Sequence, residues 1–154
     1  MIRTETASVV GVLVAGFPSV KMSRETVEVW HRSLHDLPYG EVKVAVEKLL
    51  MTSEWFPTIA LIRKATLDAM GMLPRSADEA WVEILGAIND HGFSGYPEFS
   101  SLVREAVLQV GWREICMSSQ PEAIRRAFVK AYDAIALKQM NRVLTAPLEL
   151  TTGE

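Results

Sequence analysis

Apolar side chains return at every third or fourth position along almost the whole chain, and nowhere do they alternate strictly with polar ones. The first spacing turns one face of an α-helix inward, whereas a half-buried strand needs a period of two. The predicted fold class is therefore all-α, with seven helices. One over 4–16 carries Val9, Leu13 and Phe17 on a single stripe and ends before Pro18, because a proline pushes its predecessor out of helical geometry. A second opens on Ser23, whose hydroxyl can accept from a first-turn N–H, continues through Val27, Trp30 and Leu34, and stops at Pro38. A third over 40–51 buries Val42, Ala45, Val46, Leu49 and Leu50 and leaves Glu41, Lys43, Glu47 and Lys48 to solvent. After a loop over 53–57 a fourth starts at Thr58, buries Ile59, Ile62, Ala65 and Met70, and stops at Gly71.

The stretch 71–75 has a helix-ending glycine and Pro74, and a capping box follows at once, in which Ser76 caps the next helix and Glu79 reaches back to the Ser76 N–H. This divides the chain into a helical domain over 1–72, a second over 76–145 and a flexible tail over 146–154. Helix five buries Trp81, Ile84, Leu85 and Ile88. A loop over 92–97 leads to helix six, with Leu102, Val103, Ala106, Val107 and Val110 inward and Gly111 as its terminator. The segment 112–117 reads as an apolar turn. A second capping box, Ser119 with Glu122, opens the last helix, whose inner positions are Ile124, Phe128, Tyr132 and Ile135. Two small bundles result, with four helices in the first and about three in the second.

Composition is that of a folded protein, with 49% hydrophobic and 23% charged residues, so a packed core is expected. Through Arg75 there are nine basic and eight acidic side chains, and beyond it seven and eleven, so neither half is a basic nucleic-acid clamp. A single cysteine, Cys116, excludes an internal disulfide and any multi-thiolate metal site. A reducing, cytoplasmic setting fits. The apolar run over 9–17 follows Glu5 instead of a positive leader and is too short to span a bilayer, so it reads as a buried helix.

Candidate chemistry is sparse. His31 and His35 stand four apart with Glu28 one turn away, a spacing that can face one metal ion, but Arg32 sits where a zincin has its catalytic glutamate. Surface or capping histidines are the simpler reading, and His91 at a helix end complements the helix dipole. Cys116 lies in apolar company that favours burial over a reactive thiolate. Gly-rich phosphate loops, nucleophile elbows and paired carboxylates are lacking, so no catalytic, cofactor-binding or metal-binding residue is assigned, and the chain is read as a non-enzyme. Trp30 and Trp81 fall on core faces. Trp55, Phe56 and Pro57 either plug the gap between helices three and four or form an exposed anchor for a partner. Arg63 with Lys64, and Arg125 with Arg126 and Lys130, are basic pairs and clusters that normally mark a solvated face. The candidate partner-binding residues are Trp55, Phe56, Trp112, Arg125, Arg126 and Lys130. Helices three and four also admit an alternative, a small DNA-binding regulator reading DNA with Arg63 and Lys64, although their connection is long for a helix-turn-helix.

Trp30 followed by Leu34 and Leu37, the apolar helix from Val42 to Leu50, the turn Phe56-Pro57-Thr58-Ile59, and an early helix closing on Phe17-Pro18 together resemble the phage family of replicative-helicase loaders and inhibitors. The resemblance runs over about 8–72 and rests mostly on core-forming positions. It implies a non-enzymatic adaptor that binds a hexameric DnaB-type replicative helicase, loads or inhibits it, and contacts a replisome organiser protein. No cofactor and no membrane partner are expected, direct nucleic-acid binding is not favoured, and the setting expected is the cytoplasm of a bacterial host. A family member's C-terminal region is largely unstructured and grips the helicase; here 76–140 has helical periodicity throughout, so that grip does not carry over.

Overall fold

The computed structural model describes residues 1–95 and 97–147. Among them are eight α-helices and no strand, so the chain is all-α. The chain divides into two compact units, Met1–Met72 with the segment that begins at Val143, and Leu73–Arg142.

The first unit contains α1 (Arg3–Gly16), α2 (Arg24–Leu34), α3 (Tyr39–Thr52) and α4 (Ile59–Ala69). Two helix starts are fixed by side chains. The Thr26 N–H donates to Ser23 Oγ at 3.3 Å, and the Leu61 N–H donates to Thr58 Oγ1 at 3.2 Å. Each such cap supplies about 1 kcal/mol by satisfying an orphan donor. α1 packs on α2 and α3, and α4 on α2 and α3. α1 approaches α3 closely at Gly16, where a Cβ would oblige the end of the Leu50 side chain to turn aside. Leu13, Leu34, Leu37, Val42, Ile62 and Leu67 are fully buried. Each such side chain contributes roughly 1.5–3 kcal/mol. Two buried threonines keep their hydroxyls bonded: Thr66 Oγ1 donates to Ile62 O at 2.8 Å, and Thr6 Oγ1 lies 3.0 Å from His31 Nδ1. α4 is rotated slightly from the sequence reading, since Thr66 and Leu67 complete its inner face while Ile59, Ala65 and Met70 are half-buried.

The second unit contains α5 (Ala77–His91), α6 (Ser101–Val110), α7 (Trp112–Met117) and most of α8 (Pro121–Thr145). The capping box at Ser76 forms, with the Glu79 N–H donating to Ser76 Oγ and the Ser76 N–H to Glu79 Oε2. The box expected at Ser119 does not. Pro121 takes the first helical position, which suits a residue without an N–H, so Gln120 is the cap and its carbonyl accepts from Ala123 and Ile124. Gly111 ends α6 with φ +96°, a conformation that side chains with a Cβ rarely adopt. The reversal it makes starts α7, where the sequence predicted only a turn, so this unit has four helices. Its core joins Ala80 and Ile84 of α5, Val103, Ala106 and Val107 of α6, Trp112 and Ile115 of α7, and Phe128, Tyr132 and Ile135 of α8. Leu85, expected inside, is exposed, because Ala80 and Ile84 set the inner face of α5 one position earlier. The predicted tail falls mostly outside the described residues, from 148 on.

Candidate interaction surfaces

The α3–α4 connection parts its three apolar residues. Phe56 turns inward and sits edge-on to Phe17 and Trp30, with ring centroids 5.7 and 5.8 Å apart, and Pro57 is buried. Trp55 turns outward and is 81% exposed. Phe56 and Pro57 thus plug the gap between α3 and α4, and Trp55 alone of the three is exposed. Met51, at the last turn of α3, is 80% exposed, and Val44, seven residues earlier on the same face, is also exposed. The sequence reading missed these two. Their signal was present, because a valine and a methionine sit on α3 outside its inner stripe.

Trp112 is not a surface residue. It is 6% exposed and packs against Phe99 at 5.4 Å between ring centroids, so it serves the core of the second unit and offers no contact area to a partner. Arg125, Arg126 and Lys130 are exposed on α8 but share their face with Asp78, Glu122 and Asp133. Arg125 Nη2 donates to Asp78 Oδ1 at 3.0 Å. The patch is one of mixed charge.

Arg63 also departs from expectation. Its side chain is only 11% exposed, against 8% for Asp36, and its Nη1 and Nη2 donate to Asp36 Oδ1 and Oδ2 at 2.7 and 2.6 Å. Nη1 donates further to Ser33 O at 3.1 Å, Nε to Leu144 O at 2.7 Å, and Nη2 to Ala146 O at 2.9 Å. All five N–H groups of the guanidinium are therefore used inside the first unit. Arg63 has no donor left for a phosphate or a base edge, and the exposed face of α4 presents Leu61, Lys64 and Asp68.

The histidine pair is engaged separately. His31 Nδ1 meets Thr6, and His35 Nδ1 lies 3.0 Å from Arg32 O. Among the described residues no group of three or more His, Cys, Asp or Glu side chains gathers in metal-binding geometry. Burial pushes the Cys116 thiol up, away from the thiolate form.

Glu83 ties α5 to the start of α6. Burial alone would raise its carboxyl, but the Ser100 N–H at 2.8 Å, the Arg75 guanidinium and the Ser100 hydroxyl together hold it below the ordinary value. A carboxyl depressed in the folded state adds stability above its unfolded pKa and loses it as pH falls through the folded one. The stability advantage of the native chain over Glu83→Gln should therefore be full at about pH 6 and shrink steadily below about pH 4. Urea titrations across that range check this. A constant difference would remove Glu83 ionisation as the cause.

The first unit is a small helical domain with a largely buried ion pair and with Val44, Met51 and Trp55 among its exposed apolar side chains. Residues 1–63 match a family model, that of the N-terminal domain of the phage helicase loader and inhibitor protein, the gp39 protein of SPP1. Over those residues the chain is similar to that N-terminal domain. The match ends within α4 and covers none of Leu73–Arg142. Comparisons with curated proteins and with solved structures give no significant match. Among the described residues no helix is long and apolar enough to cross a membrane.

Proposed function

We propose that the protein is a non-enzymatic adaptor that binds a hexameric DnaB-type replicative helicase and loads or inhibits it during phage DNA replication in the bacterial cytoplasm, with a replisome organiser protein as a further partner. The observation that carries this reading is the family match over 1–63. It is supported by the exposed Met51 and Trp55 on that same domain, since exposed aromatic and methionine side chains are the usual anchors of protein interfaces. The reading as a DNA-binding regulator loses its main support, because Arg63 is spent on Asp36 and backbone carbonyls.

Calorimetric titration of the chain into the cognate helicase hexamer, with and without nucleotide, tests the proposal, and a lack of association under both conditions would refute it. Trp55→Ala should weaken binding about 30-fold, the effect of removing an anchor of roughly 2 kcal/mol. It should change unfolding stability by less than about 0.5 kcal/mol, because Trp55 supports nothing inside. Unaltered affinity would move the interface away from this corner.

A further inference from the structure

α1 is apolar on both faces. From Thr6 to Val20 the chain carries no charged residue, and Ala7, Gly11, Val12 and Ala15 on the outer side of the helix are exposed. A helix of that kind is ordinarily covered all round. Along its α3 side lies a cavity of about 270 Å³, walled by Val12, Val46 and Tyr39, with Ser8, Lys43 and Glu47 also lining it. Small-molecule sites occupy roughly 300–1,000 Å³, so this space suits a single large side chain.

The same domain carries a side chain of that size and polarity. The Trp55 indole stands in solvent, apolar but for one N–H, and the oxygens of Ser8 and Glu47 at the cavity can accept from such a donor. Charge matches as well. Glu54, exposed beside the indole, has its complement in Lys43, whose contact with Glu47 spans 3.9 Å and leaves both side chains more than half exposed. One chain cannot make this contact alone, because α3 rises about 14 Å from Lys43 to its end at Thr52, and Trp55 lies beyond that end. Two copies of α3 set antiparallel bring each Trp55 to the other's Lys43. Met51 of each copy then lies against Val44 and the stem of Glu47 in the other, which covers two more exposed apolar side chains.

We propose that the chain dimerises by reciprocal insertion of Trp55 into the α1–α3 cavity of a second copy, with Glu54 of each copy paired to Lys43 of the other. A contact made twice by the same surface closes at two copies. The dimer needs no helicase, and it withdraws Trp55 from every other partner.

Sedimentation equilibrium of the full chain, from about 5 μM to about 1 mM, should show a monomer–dimer equilibrium and nothing larger. Trp55→Ala should weaken it about a hundredfold or more, because each dimer loses two anchors. Lys43→Glu and Glu54→Lys leave the indole and the core in place, and each alone should weaken it about tenfold or more, since like charges then meet twice. Mixed in equal amounts, these two variants should associate with near-native affinity, because the inverted charges face each other and the native ones do likewise. Circular dichroism checks that all three variants stay folded. A native chain that is monomeric at about 1 mM, dimerisation unchanged by Trp55→Ala, a mixture that does not recover, or assembly beyond two copies overturns the proposal. A monomeric native chain that still binds helicase through Trp55 would sink the dimer and leave the adaptor reading intact.

Discussion

Asp36→Ala lowers the stability of the first unit by roughly 3–5 kcal/mol, the cost of stranding one member of a desolvated ion pair. The Arg63 and Asp36 side chains are 11% and 8% exposed, and the carboxylate takes one bond from each terminal nitrogen at 2.7 and 2.6 Å. Removing the carboxylate leaves two donors and a full positive charge in a largely desolvated site. Asp36→Asn should cost less, because its amide oxygen still accepts one of the two bonds. Asp36→Ala with Arg63→Met should recover part of the loss, since the uncompensated charge disappears together with its partner. Urea unfolding followed by circular dichroism measures all three variants. A loss below about 1 kcal/mol for Asp36→Ala would place this pair among ordinary surface ion pairs.

Phe128→Ala should cost roughly 3–5 kcal/mol in the second unit. Its ring is 0% exposed, lies 5.3 Å from Trp81 and 5.9 Å from Tyr132 between centroids, and belongs to the cluster that joins α5, α6, α7 and α8. The flanking rings are themselves constrained. Tyr132 is held by its hydroxyl, which donates to Arg75 O at 3.1 Å, so it cannot swing over to fill the void. Phe128→Leu keeps most of the volume and should lose far less. For a unit of this size each kcal/mol moves the thermal midpoint by about 4–8 °C, well within reach of calorimetry. A drop of under about 4 °C for Phe128→Ala would mean that the cluster closes over the gap.

What could be read from the sequence was whatever depended on near neighbours. Ser23, Thr58 and Ser76 were legible as helix starts because a cap acts on an N–H within three residues. The stripe Val42, Ala45, Val46 and Leu49 was legible because burial follows helical period. The Ser119 box failed for an equally local reason: Pro121 competed for the first helical position, and the pattern of a Ser with a Glu three residues on did not weigh it. α7 was missed because six residues after a glycine carry too little periodicity to distinguish a helix from a turn. The inward turn of Arg63 had no local signal at all. Its acceptors lie 27 to 83 residues away, and an Arg-Lys pair on a helix ordinarily faces solvent. Trp112 was offered as a surface anchor for the converse reason, since nothing in residues 112–117 tells that Phe99 covers it. Of the candidate interaction surface, the sequence showed that Trp55 was unusual, and only the fold showed that Phe56 points the other way.

The outward indole also has a photophysical consequence. Indole emission moves to shorter wavelength and escapes aqueous quenchers when water is stripped from the ring. Trp30 and Trp112 are already 6% exposed and Trp81 lies against Phe128, whereas Trp55 is 81% exposed. Covering the α3–α4 corner would therefore change the colour and iodide accessibility of one fluorophore against a background that is already shielded. The chain carries at that corner an intrinsic optical probe that needs no label.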